Sequence, residues 1–268
     1  MKAALPKRNT NGVERICRLI MNKASLAKEP GTRRYAPLVV SDFDGTITQL
    51  DVTDQVLAQL AHPSWREVER EWALGTIGSR ECLERQIALV EASVAELHAV
   101  VDAIELDPHF AAFNRFLERR RIPFYIASDG FDYVIRRVLK RAGVPGSFRN
   151  GSHLFASALR IEGRRLLPSF PHSETPCEHG CATCKAALLR ELGRDRQPLI
   201  FVGDGMSDRF AVEAADVVFA KRQLLAYCRE RGIACHDFET FKDVQTGLEK
   251  LLAPAPARRY RQPVPALS

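Results

Sequence analysis

A chain of 268 residues, 46% of them hydrophobic, has room for one large domain or for a core with a second unit inserted, and no apolar run nears the roughly eighteen residues that cross a bilayer. The formal charge of +6 suggests a polyanionic partner until it is divided: residues 1–35 hold nine Lys or Arg against two acids, residues 253–268 hold three Arg and no acid, and 27 basic and 31 acidic residues lie between. The basicity belongs to the two ends, which argues against a nucleic-acid-binding face on the core.

Residues 1–35 carry one weak amphipathic turn, Val13 to Ile20, and read as a mostly disordered basic tail. A nucleic-acid or membrane arm is the sharper alternative for it. No apolar secretory stretch opens the chain, and seven cysteines, three of them between 177 and 184, fit reduced thiols better than a disulfide framework. A cytoplasmic protein is expected.

Pro37-Leu38-Val39-Val40 reads as a buried strand that runs into Ser41-Asp42-Phe43-Asp44-Gly45-Thr46. Two carboxylates two residues apart after an apolar run are costly to place for packing alone, so a cation is expected there. The next eighty residues are too many for a plain βα connection. Helical periodicity over 52–60, 64–74, 79–91 and 93–104 makes 50–112 a helical insertion. Trp65 and Trp72 are expected in its core, and Gly75 and Gly78 flank a turn. Residues 122–127 repeat the strand pattern and run into Ser128-Asp129-Gly130, with a helix over 131–142 whose N-terminus, with Ser128, suits phosphate oxygens. Residues 147–174 look like an irregular β excursion. Cys177, Cys181 and Cys184 then precede Lys185 and a helix to Leu192; C-x3-C-x2-C with His172 or His179 could ligate zinc, but the compact spacing favours a turn that positions Lys185 and holds no tightly bound metal. A third strand, 198–202, runs into Gly203-Asp204-Gly205-Met206-Ser207-Asp208, which opens a helix through 215. A strand at 216–220, a helix at 224–231, a short edge at 235–238, a helix at 241–252 and a Pro-rich disordered tail at 253–268 complete the chain. The alternation specifies an α/β, Rossmann-like parallel-sheet core of residues 36–49 and 113–252. Three strands ending in Asp-Gly point at one crevice.

These motifs resemble the haloacid dehalogenase superfamily of phosphohydrolases: Asp42-Phe43-Asp44-Gly45-Thr46 as the first motif, Ser128 as the second, Lys185 as the third and Gly203 to Asp208 as the fourth. The resemblance implies that 50–112 is a helical cap that closes on the site. It also implies that Asp42 is the nucleophile, that Asp44 is the general acid and base, and that Lys185 balances charge. Phosphate would be held by Ser128, Asp129 and Gly130, and Mg²⁺ by Asp42, Asp204 and the Asp44 carbonyl, with Asp208 orienting the shell from behind. An oxygen-only donor set suits such a hard cation. Finer features, among them Gly75-Thr76-Ile77, the Cys-Lys step and Phe219-Ala220-Lys221, resemble the phosphoserine-phosphatase-like branch, and within it the methionine-salvage enolphosphatases. A small phosphorylated metabolite is the partner this implies, with phosphoserine, phosphoethanolamine and phosphocholine as alternatives. A phosphate sensor is the non-enzyme alternative; the oligomeric state stays open.

Overall fold

The computed structural model describes residues 37–144, 153–173, 177–195 and 198–253. The expected tails, 1–35 and 253–268, lie outside the described residues except for Ala253. Seven strands form one sheet in the order β4-β3-β2-β1-β5-β6-β7, with β1 (Leu38–Ser41), β2 (Phe124–Phe131), β3 (Leu154–Glu162), β4 (Arg165–Ser169), β5 (Leu199–Gly203), β6 (Val217–Ala220) and β7 (His236–Asp237). Every pairing is parallel except β3 with β4. The four residues of β1 are all buried, and successive ones face opposite sides: Val39 joins the larger apolar cluster and Val40 the smaller.

Five helices separate β1 from β2: α1 (Val52–Leu60), α2 (Trp65–Ala73), α3 (Ser79–Ile87), α4 (Val94–Asp102) and α5 (Phe110–Arg120). The first four stand apart from the fifth. Asp107 donates its N–H to the Ile47 carbonyl at 2.8 Å and Gln49 donates to Glu105 at 3.0 Å, so the chain leaves the core and returns to it through one paired crossing. Helix α5 begins only after that crossing. Its Phe110 and Phe113 rings lie 5.2 and 5.0 Å from Phe241 of the closing helix, which joins it to the core.

Helix α6 (Asp132–Arg141) follows β2, α7 (Lys185–Leu192) precedes β5, α8 (Arg222–Arg231) follows β6, and α9 (Phe241–Leu252) closes the described chain. Three local expectations change. The α3 helix stops at Ile87, because Val90 and Glu91 bridge to Ala61 and Arg165 in extended conformation. Residues 206–215 form two short 3₁₀ turns, Met206–Asp208 and Val212–Ala214, since the Asp208 carboxylate takes the N–H groups of Asp204 and Gly205 and tightens the chain there. The excursion after α6 holds a regular hairpin, β3–β4, whose first strand extends the main sheet in parallel to β2.

Candidate active site

Strand β1 is flanked by β2 on one side and β5 on the other, which brings the ends of all three strands to one crevice. Asp42 follows β1 and is buried; its N–H donates to the Val202 carbonyl of β5 at 2.9 Å. Asp204 follows β5 and is also buried; Thr46 donates its hydroxyl to Asp204 Oδ1 at 2.7 Å. Lys185, at the first turn of α7, puts its Nζ 2.9 Å from Asp42 Oδ1 and 2.5 Å from Asp208 Oδ1. With its other oxygen engaged by two backbone N–H groups, Asp208 is fully occupied in holding the lysine and the loop.

Asp44 faces the same crevice from the turn after β1. Its Oδ2 accepts from the Ser128 hydroxyl at 3.0 Å and its Oδ1 from the Val52 N–H, at the start of α1, at 3.1 Å. The Gly130 N–H donates to Ser128 Oγ at 2.9 Å. Any side chain at 130 would put its Cβ 2.3 Å from Asp44 Oδ2, so glycine is required by close approach. Strand β2 runs through this stretch to Phe131 with a register shift after Ala127, and the helix starts at Asp132. Ser128 therefore sits in a strand irregularity rather than at a helix N-terminus. The Asp129 carboxylate lines the same cavity; it accepts from the Thr183 N–H at 2.8 Å and is also hydrogen-bonded to Ser79.

The charges do not balance. Burial pushes the Asp42 carboxyl well above the usual carboxylate range, the Asp208 and Asp204 carboxylates push further, and Lys185 only partly opposes them. Asp204 is raised by burial and by Asp208. Asp44 is raised by burial to about 6, against hydrogen bonds from Ser128 and Val52 that pull it down. For Lys185, burial works against the charge, but Asp208 and Asp42 outweigh it and raise the ammonium well above its normal value. Oxygen atoms of Asp42, Asp204 and Asp208 lie within 4.8 Å of one another, the one such group among the described residues. An oxygen-only set short of positive charge fits a hard divalent cation.

One residue, Arg222, is not announced by the sequence, and another, Trp72, is placed differently from the expectation. Arg222, on α8, donates from Nη1 to Asp204 Oδ2 and to the Gly45 carbonyl, both at 3.1 Å. Nothing local announces it, because an arginine before an amphipathic helix has an ordinary surface role. Trp72, expected in the core of the insertion, lines the cavity above the aspartates instead, with Asp51, Asp54 and Glu69. That cavity measures about 330 Å³.

Residues 39–213 match the family described as haloacid dehalogenase-like hydrolase. Among curated proteins, the 2-hydroxy-3-keto-5-methylthiopentenyl-1-phosphate phosphatase of Geobacillus kaustophilus is 31% identical, covering 78% of this chain and 94% of its own; the one from Bacillus velezensis is 28% identical over 80% and 91%. Among solved structures, a substrate-bound phosphoserine phosphatase complex aligns with a TM-score of 0.61 over 81% of this chain and 99% of its own, at 14% identity, a likeness of fold. With the four strand-end and lysine motifs gathered in one crevice and the match spanning most of the core, this chain belongs to the haloacid dehalogenase-like hydrolases.

Proposed function

We propose that the protein is a Mg²⁺-dependent phosphatase of a small phosphorylated metabolite, acting on the enol phosphate named for its curated relatives, 2-hydroxy-3-keto-5-methylthiopentenyl-1-phosphate. The observation that carries the reading is the pair Asp42, buried beside Lys185, and Asp44, half-buried and hydrogen-bonded by Ser128, facing a single cavity.

Asp42 is the nucleophile: its carboxylate oxygen forms a bond to phosphorus as the ester oxygen leaves, giving an aspartyl-phosphate. Asp44, with its carboxyl held up near 6, donates a proton to the leaving oxygen and then takes one from the water that cleaves the acyl phosphate. Lys185 neutralises the charge on Asp42 and on the incoming phosphoryl oxygens. Asp42, Asp204 and the Asp44 carbonyl would hold Mg²⁺, which when bound supplies charge neutralisation of the phosphoryl group. Asp208 fixes Lys185 and the loop from behind, and Ser128 with Gly130 orients Asp44 and lines the phosphate position. Helices α1 to α4 form the cap over this cavity. Free thiols throughout the described cysteines support a reducing, cytoplasmic setting. Among the described residues no helix is long and apolar enough to cross a membrane.

One observation favours a second substrate class. Asp51, Asp54 and Glu69, each raised by burial, share the cavity wall with Trp72, and carboxylates beside an aromatic ring suit the amine of phosphoethanolamine or phosphocholine. Phosphate release with Mg²⁺ across the enol phosphate, phosphoserine, phosphoethanolamine and phosphocholine decides between them. The proposal expects the highest kcat/KM on the enol phosphate. A higher value on either amine ester replaces it with the second reading, and no release from any ester overturns both.

A further inference from the structure

The cysteine turn is more than a support for Lys185. The Cys177 sulfur accepts hydrogen bonds from the backbone N–H groups of His179 and Cys181 and is in side-chain contact with both Cys181 and Cys184. Burial alone would raise its thiol, but these donors outweigh it and bring it below its usual value. Other thiols move the opposite way: burial raises Cys82 and Cys181, and the nearby Asp129 carboxylate raises Cys181 further. Cys177 is half-buried, on the wall of a cavity of about 320 Å³ shared with Cys181, Cys184, Lys185, His179 and Ser207.

The histidine of the turn is held by a neighbouring ring. His179, a candidate fourth ligand, lies flat on the Phe210 ring, 3.6 Å away with planes 3° apart.

The same turn ties the insertion to the core. Gly180 accepts from the Arg80 N–H at 3.0 Å, Ala182 donates to Ser79 Oγ at 3.0 Å, and Thr183 donates to Asp129. Backbones touch here: a Cβ on Gly78 would lie 2.4 Å from the Gly180 carbonyl oxygen. Three residues after Gly180–Ala182 the chain reaches Lys185.

We infer that Cys177 is a peroxide-reactive site whose oxidation closes a disulfide to Cys181 and switches the enzyme off. The Cys177 sulfur attacks one peroxide oxygen; the S–O bond forms, the O–O bond breaks, and the departing hydroxide leaves as water with the thiol proton. The Cys181 sulfur then attacks the sulfenic sulfur; the S–S bond forms, the S–O bond breaks, and hydroxide leaves as a second water with the Cys181 proton. Two thiols are oxidised by two electrons while one peroxide is reduced to two waters. Closure pulls Cys177 off its backbone donors and moves the peptide between Gly180 and Ala182, which loosens the hold on Ser79 and Arg80 and shifts the start of α7.

The test uses the full chain, reduced, desalted and treated with hydrogen peroxide, then divided between a non-reducing peptide mass map and turnover of p-nitrophenyl phosphate. The activity arm rests on the phosphatase reading; the mass arm does not. Expected are a Cys177–Cys181 link and a loss on the order of 10²-fold, as for a catalytic group displaced by about an ångström, restored by dithiothreitol. Cys177→Ser should match the untreated enzyme and keep its rate under peroxide, which also shows that the variant folds. Cys177 left unlinked, an equal loss in Cys177→Ser, or one equivalent of zinc that Cys177→Ser abolishes would each overturn the inference. A chain inactive before treatment yet linked at Cys177 and Cys181 would sink the phosphatase reading and leave the modification site standing.

Discussion

Asp42 and Asp44 are the same residue type two positions apart, and their surroundings give them different chemistry. Asp42 shares Lys185 with Asp208 and sits among other carboxylates; Asp44 is turned away toward Ser128 and the first N–H of α1. General acid catalysis contributes about 10²–10⁴-fold and matters most when the leaving group is poor. Asp44→Asn should therefore lose that much kcat/KM on an alkyl phosphate and far less on p-nitrophenyl phosphate; equal losses on both would remove the proton-donor role. Arg222 acts on the acid opposite. It is half-exposed, so its contact with Asp204 is weakened by solvent and worth less than about 1 kcal/mol. Arg222→Ala should remove a positive charge that competes for Asp204 and lower the Mg²⁺ concentration for half-maximal rate by about two- to fivefold, a change within the range of such a contact. A higher Mg²⁺ requirement would mean that the arginine organises the site instead of competing for it.

At the scale of elements, two junctions are open to test. Gly78, just before α3, abuts the Gly180 backbone, and neither chain can give way as a flexible side chain would. Gly78→Ala should cost about 1–3 kcal/mol, as overpacking does, read as a lower denaturant midpoint at unchanged slope. A neutral result would show that the turn and the insertion part easily. The other junction is the capping box of α4. The Glu96 carboxylate accepts from the Ser93 hydroxyl and N–H and pairs with Arg164, which together bring it down from 4.5 to about 2. Because the folded value is depressed, the stability it contributes is fully present above the unfolded value and is lost as pH falls from about 4.5 toward about 2. Wild type should melt above Glu96→Gln at pH 6 by a margin that shrinks through that window; a margin independent of pH would assign the effect to the cap geometry alone.

Over the whole molecule, what could be read in advance was what short-range pattern controls. Buried strands ending in Asp-Gly announce themselves because a carboxylate next to an apolar run has few other uses, and the order of strands and helices is written in periodicity. Long-range packing was not legible. The return of the chain near residue 105 depends on Ile47 and Gln49 pairing with residues more than fifty positions away. The 3₁₀ turns after Asp204 follow from where Asp208 points, and Arg222 reaches Asp204 only because α8 follows the neighbouring strand. The β3–β4 hairpin was not legible because β4 lies at the edge of the sheet and carries the mixed polarity of an edge strand.

All of these contacts converge on one claim, that phosphate passes through a covalent bond to Asp42. Rapid-quench mass spectrometry during the first turnover of p-nitrophenyl phosphate with Mg²⁺ tests it directly. A phosphoryl group should appear on Asp42 in the wild type, accumulate in Asp44→Asn because water is no longer activated, and be missing from Asp42→Asn. An adduct on Asp42→Asn, or none on either the wild type or Asp44→Asn, would contradict the account.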